Sequence, residues 1–420
     1  MICVSTRGRA PAVSFREAIV AGLAPDGGLY VPQTLPRLNH AWWQRQRGRS
    51  FQEVAVATAE EIAGDEFDRG MLSLLVREAL NFPVPIVELD DRLSVVELFH
   101  GPTFAFKDFG ARTLARLMAD LNRGADPLTV LVATSGDTGG AVAHAFFGVP
   151  GTSVVVLYPE GQVSDVQEAQ FTTLGGNVTA VAVRGSFDDC QRLAKEAFGH
   201  RELSSRRRLT SANSISLGRL LPQVFYYAYA ATRGAEPPVI SVPSGNFGNL
   251  AAGVMAWKLG APIARFLAPT TINDTVPRFL ASGRVEPRPS KPTLANAMDV
   301  GNPSNLERLQ WLFGGDVDAM RQLISSTAHT DDDVRRAIAE LNDRFDYVAD
   351  PHTAIAFLGT RDEARNTLFL STAHPAKFRE VVEPAINKTV QLPAALAETL
   401  SRAKVALHIG PDLAELAELL

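Results

Sequence analysis

Five short, nearly unbroken apolar runs punctuate the chain, at 128–133, 153–158, 178–183, 239–242 and 367–370. Runs of this length without polar alternation suit strands covered on both faces, hence parallel strands beneath helices. Ala-rich stretches with helical spacing separate them, so the pattern predicts an α/β protein with two sheet domains. Residues 1–90 read differently, as a mixed N-terminal extension. Ser14 followed by Glu17 marks a capped helix start, and Gly-Leu-Ala-Pro-Asp-Gly-Gly at 22–28 reads as a loop. Apolar spacing predicts helices over 50–63 and 67–80 before Pro83 and Pro85 break the pattern. The rest divides into a first α/β region over 91–235 and a second over 236–420.

With 420 residues, 46% of them hydrophobic and 21% charged, the chain has material for two or three domains and needs no metal or disulfide staple. Its 41 basic and 46 acidic residues give a net charge of −5. That is no electrostatic footprint for nucleic acid, which calls for a concentrated basic face. The run Arg206-Arg207-Arg208 reads as a solvated turn or helix end before an anion site. Cys3 and Cys190 stand far apart, outside any C-x-x-C pair, so neither a disulfide framework nor a cysteine zinc site is expected. The N-terminal residues carry no apolar run after a basic start, and no stretch reaches the roughly 20 apolar residues of a membrane span. The expected location is cytoplasmic.

Chemistry concentrates at three strand-to-loop junctions and one lysine. After the run at 128–133 comes Thr134-Ser135-Gly136-Asp137-Thr138-Gly139-Gly140 and then a helix. Such a turn aims N–H groups and hydroxyls at one point, beside the positive end of a helix dipole, where a phosphate or carboxylate fits. Ser244-Gly245-Asn246-Phe247-Gly248-Asn249 repeats the design after 239–242. One loop alone is equally well strand-to-helix punctuation; two in one chain point to a ligand with more than one anionic group. Ser371-Thr372-Ala373-His374 sets two hydroxyls at a strand's carboxyl end, where open α/β sheets bind ligands. His374, before proline in a capping turn and without a partner in the sequence, reads as structural rather than as a base. Lys107 lies among Phe104, Phe106 and Phe109. Taken alone it is an exposed lysine paired with Asp108; in an apolar setting it is a nucleophilic amine able to form a Schiff base.

Several chemistries are unsupported. The chain carries no G-x-G-x-x-G after a strand, no G-x-x-x-x-G-K-[ST], no H-E-x-x-H and no G-x-S-x-G. A Schiff-base lysine, two anion loops and a hydroxyl at a strand end remain, which together are what pyridoxal phosphate requires.

These segments resemble the threonine synthase family of fold-type II pyridoxal-phosphate enzymes, whose fold is like that of the tryptophan synthase β chain. The matching stretches run through nearly the whole chain in order. They include STRG at 5–8, GLAPDGGLYVP at 22–32, ELFHGPTFAFKDFG at 97–110, ATSGDTG at 133–139, VPSGNFGN at 242–249, NDTVPRFL at 273–280, NAMDVGNPSN at 296–305, DPHTA at 350–354 and STAHPAKF at 371–378. The resemblance implies that Lys107 carries pyridoxal 5'-phosphate and moves protons, and that Gly245, Asn246, Phe247, Gly248 and Asn249 cradle its phosphate. It implies that Thr372 meets the ring nitrogen, and that Thr134, Ser135, Gly136, Asp137 and Thr138 meet the substrate carboxylate. The implied reaction converts O-phospho-L-homoserine and water to L-threonine and phosphate by β,γ-elimination and replacement, in a monomer or homodimer. Ser216 and Asn249 depart from the family, standing where asparagine and aspartate are common. A phospho-lyase or dehydratase releasing a keto acid would use the same lysine and phosphate loop. A non-catalytic relative is disfavoured by the intact lysine.

Overall fold

A computed structural model describes the backbone over residues 1–420 and the side chains of all but residues 201, 204 and 205. Among the described residues the strands form three sheets. In chain order they are β1 (Ile2–Ser5), β2 (Val13–Ser14), β3 (Tyr30–Pro32), β4 (Ile86–Glu88), β5 (Leu93–Glu97), β6 (Leu128–Ala133), β7 (Thr152–Pro159), β8 (Val178–Val183), β9 (Arg208–Ser211), β10 (Val239–Ser241), β11 (Arg265–Leu267), β12 (Ile324–Ser325), β13 (Thr367–Ser371) and β14 (Leu407–Ile409).

The five apolar runs coincide with β6, β7, β8, β10 and β13. β6 is buried at every position, as a strand sandwiched between helices must be. β14-β8-β7-β6-β9 form an all-parallel five-stranded sheet. A second sheet runs β12-β11-β10-β13-β5-β4, parallel except for the antiparallel β4–β5 edge. The small antiparallel sheet β2-β1-β3 belongs to the N-terminal extension.

The strands do not sort by the division at residue 235. β5, from before it, pairs along its whole length with β13, from Leu93↔Thr367 to Glu97↔Ser371. β14, from the end of the chain, pairs with β8 in the other sheet. Nor is the extension a separate body. Val54 and Ile62 of its helix Phe51–Ala63 share one core with Val130, Val156 and Leu250. That helix and Arg69–Ala79 lie where the periodicity predicts them. Ser14 caps its helix in a reciprocal capping box with Glu17.

β9 is the strand hidden by the arginine run. Arg208 opens it and donates Nη1 to Asn122 Oδ1 at 2.7 Å and to the Asp126 carbonyl at 2.8 Å, so this cation is spent inside the fold. Among the described residues, no helix is long and apolar enough to cross a membrane, and no group of three or more His, Cys, Asp or Glu residues suits a metal.

Candidate active site

A cleft opens between the carboxyl ends of the two parallel sheets, the place such sheets reserve for ligands. β6 delivers Thr134, Ser135, Asp137 and Thr138 to its wall; β9 leads to Asn213 and Ser214; β10 delivers 243–249; β13 delivers Thr372. Lys107 faces the same space. Gly136 does not line it. The backbone of Gly136 has φ +148° and turns its α-carbon toward Gln167, whose side chain a Cβ would meet at 2.6 Å.

Lys107 is the first residue of the helix Lys107–Leu121. The turn before it is clamped to the end of β13 by an Ala105↔Ala373 bridge, by Phe106 N–H donating to the Thr372 carbonyl at 2.9 Å, and by His374 N–H donating to the Phe104 carbonyl at 3.1 Å. Nζ lies 4.9 Å from the Phe106 ring centroid and 3.7 Å from Asp137 Oδ2. Burial pushes the amine below the ordinary lysine value; Asp137 opposes this, and Lys377 and Arg219 add to it. Asp108, the partner an exposed Lys107 would take, instead accepts from the N–H and hydroxyl of Thr103 at 2.9 and 2.8 Å. Burial raises its carboxyl to about 6.

The turn at 245–249 leads into the helix Gly248–Lys258, whose first turn has no side-chain cap. Phe247 holds φ +59°, a left-handed conformation that costs a non-glycine residue on the order of 1 kcal/mol. Such strain persists where the surroundings over-determine it. They do: Asn246 donates Nδ2 to Ser214 Oγ at 2.7 Å and accepts from Ser304 N–H at 2.6 Å. Gly245 packs so closely on Met298 that a Cβ would lie 2.5 Å from its α-carbon. Asn249 Oδ1 accepts from both Tyr226 and Tyr227 hydroxyls, at 2.6 and 2.7 Å, while its buried Nδ2 has no partner within the described residues. An uncapped helix start and an orphaned buried donor, with an amine facing the same cleft, fit a ligand with an anionic group at one end and an aldehyde at the other.

The 134–138 loop is more committed to the fold than its composition implies. Thr134 Oγ1 accepts from Gly136 N–H at 3.0 Å and Gly139 N–H at 2.8 Å, so its hydroxyl caps the following helix. Asp137 accepts from Gln167 Nε2 at 2.9 Å and pairs with two lysines. Burial alone would raise its carboxyl, but Lys377 and Lys107 outweigh this and hold it well below the usual carboxylate range.

Three residues at or behind the cleft carry no sequence signal as strong as a glycine turn. Lys377 Nζ sits 2.6 Å from Asp137 Oδ1. Arg219 lines the cleft, with Nη1 donating to the Ala212 carbonyl at 2.7 Å and a buried Nε without a partner among the described residues; burial pushes it down to about 10. His352, also on the wall, meets Asp350 through Nδ1 at 2.6 Å and accepts the Ala297 N–H through Nε2 at 3.3 Å, bracing the turn that backs onto Gly245. Only the fold brings these side chains together. His374, by contrast, behaves as its sequence setting predicts, capping the turn Pro375–Phe378 by accepting Ala376 N–H at 3.1 Å.

Comparison with known proteins agrees along the whole chain. Residues 83–370 match the family described as pyridoxal-phosphate dependent enzyme, 3–80 the threonine synthase N terminus, and 352–419 the threonine synthase C-terminal segment. The threonine synthase of Escherichia coli K12 is 42% identical over 415 residues, 97% of this chain and 96% of its own. That of Serratia marcescens is 45% identical over 394 residues, covering 92% of this chain and 91% of its own. The crystal structure of threonine synthase from Escherichia coli superposes with a TM-score of 0.95 at 41% identity, covering 100% of this chain and 99% of that one. A pyridoxal-phosphate-bound threonine synthase from Brucella melitensis gives 0.94 at 37% identity, covering 100% and 98%.

Proposed function

Since the chain belongs to the threonine synthase family of pyridoxal-phosphate-dependent enzymes, we propose that it converts O-phospho-L-homoserine and water to L-threonine and phosphate, with Lys107 as its reactive amine. The observation that carries the assignment is the cleft-facing Lys107 amine, its basicity lowered by burial, in one cavity with the uncapped 245–249 turn and Thr372.

Pyridoxal phosphate held on an amine draws electrons from the carbons of a bound amino acid. Lys107 would hold that group and, as a neutral amine, take and return protons at the substrate carbons. Main-chain N–H groups of 245–249 and Asn249 Nδ2 would hold the cofactor phosphate, a role supported by the orphaned donor and the helix dipole. Thr372 would face the ring nitrogen with a neutral hydroxyl. Ser135 and Thr138, beside the start of the helix Asp137–Phe146, would take the substrate carboxylate. The Asp137 carboxylate would not, being itself anionic and spent on Lys377, Lys107 and Gln167. Arg219, on the cleft wall with a buried Nε that has no partner among the described residues, would supply positive charge for the substrate's phosphate.

The reading extends to a cytoplasmic monomer or homodimer. Free, buried Cys3 and Cys190 suit a reducing compartment. The test is to incubate the cofactor-loaded protein with O-phospho-L-homoserine and assay threonine, 2-oxobutyrate and phosphate together. Threonine and phosphate in equal amounts are expected; 2-oxobutyrate in place of threonine would make the protein a phospho-lyase.

A further inference from the structure

Lys377 is completely buried, at 0% exposure, yet it lies outside the row of residues that line the cleft. Its ammonium donates to the Thr103 carbonyl at 2.9 Å and sits 2.6 Å from Asp137 Oδ1. Lys107 approaches the other oxygen, Oδ2, at 3.7 Å. Two amines therefore share one carboxylate, and they share it unequally. Burying two cations against one anion is costly, and the cost falls if one cation gives up its proton. The longer contact and the access to the cleft both mark Lys107 as that one.

We propose that Lys377 is a positioning residue for Lys107: by taking the near oxygen of Asp137 it leaves Lys107 loosely held and free to stand as a neutral amine. The proposal rests on the reading of Lys107 as the amine that carries the cofactor. The charged groups facing Lys107 are Asp137 and Asp350, which favour its proton, and Lys377 and Arg219, which oppose it. Around Lys377 itself stand Asp137 and Asp108, with His144 and His374 nearby. Gln167 also donates to Asp137 Oδ1, but it is neutral and cannot replace the ammonium. Removing Lys377 would turn the shared carboxylate over to Lys107 alone, and a nitrogen paired with an unshared buried carboxylate keeps its proton to higher pH.

The experiment is a pH titration of the visible absorbance of the cofactor-loaded, full-length protein, comparing wild type, Lys377→Met and Lys377→Arg. The Met variant is expected to move the protonation midpoint up by about one to three pH units, the range a single neighbouring charge produces. The Arg variant keeps the charge and should stay near wild type. The acid limb of kcat/KM should move with the absorbance. A merely structural lysine would change the amount of folded protein but not the midpoint, so a folded Met variant with the wild-type midpoint overturns the proposal. Should Lys377→Met fail to fold, Lys377→Gln keeps a donor toward Thr103 and carries the same expectation. Equal midpoints for it and wild type are likewise fatal. A cofactor-loaded wild type with no visible band at any pH, or one that Lys107→Ala leaves unchanged, overturns the reading of Lys107 and the proposal with it; a wild-type band beside a variant with the same pH response overturns the proposal alone.

Discussion

The main-chain N–H of Phe106 donates to the carbonyl of Thr372 at 2.9 Å, so the residue before the reactive lysine is tied to the residue proposed to meet the cofactor ring. The two come from opposite ends of the six-stranded sheet's sequence, and the parallel pairing of β5 with β13 makes them neighbours. The clamp spares the site the entropy of bringing two independent loops into register. Its local cost is visible at Phe104, which holds φ +57° to let the turn close.

Lys107→Ala should abolish threonine formation, by at least about a thousandfold, because the amine is asked to move protons as well as to hold the cofactor. The fold should survive, since Asp137 keeps Lys377 and Gln167 as partners and no buried charge is orphaned. Product assay, absorbance spectrum and melting curve check this together. Turnover at the wild-type rate would falsify the assignment.

The two glycines of the phosphate turn should behave differently. A Cβ at Gly245 would lie 2.5 Å from the Met298 α-carbon, and backbone cannot step aside. Gly245→Ala should cost about 1–3 kcal/mol of stability and weaken cofactor binding in the same measurement. At Gly248 the nearest atom is the Asn305 side-chain nitrogen at 3.3 Å, which can yield. Gly248→Ala should therefore melt near the wild type while binding the cofactor less tightly in a titration.

Thr372→Ser keeps a neutral donor at the strand end and should retain most of the activity. Thr372→Val, of nearly the same shape, removes one hydrogen bond worth about 1 kcal/mol and should lower kcat by about fivefold. Steady-state kinetics of the pair decide it; equal rates would move Thr372 away from the ring.

Two histidines set an acid limit. Burial holds both His144 and His374 down at about 4, so in the folded protein they stay neutral while the unfolded chain begins to bind protons near pH 6.5. Because the unfolded state takes up more protons between these values, stability is lost as pH falls from about 6.5 toward about 4. By pH 5 the loss should be about 1–2 kcal/mol for each ring. His144→Leu should flatten this dependence in melts run at pH 7 and pH 5. A variant that loses as much as the wild type would rule the ring out as a contributor.

Much of the molecule is legible in its residues because burial on both faces leaves strands such as β6 with no polar position to blur the pattern. β5 was harder to see, since Ser94 and Glu97 interrupt it and its identity depends on β13, far away in the chain. β9 was masked by Arg208, a cation the fold consumes through Asn122 and Asp126. At the site, glycine turns and the aromatic-flanked lysine announce themselves through local chemistry. Lys377, Arg219 and His352 do not, because a buried charge is defined by its partners, and those lie on other elements. For the same reason Thr134, a hydroxyl in a ligand-like loop, serves as a cap.

The pairing of β14 with β8 fixes an order of events during synthesis. β8 emerges early, with β7 covering one edge, but the strand for its other edge arrives only after nearly all the remaining chain. Until then the six-residue β8 is the sheet's edge, a longer row of unpaired N–H and carbonyl groups than the three-residue β14 that afterwards takes its place, and long edges recruit neighbouring chains. Such long-range closure is also slow. A nascent chain of this protein thus carries the exposed β8 edge, and with it a risk of aggregation, through the interval between making its site and adding β14.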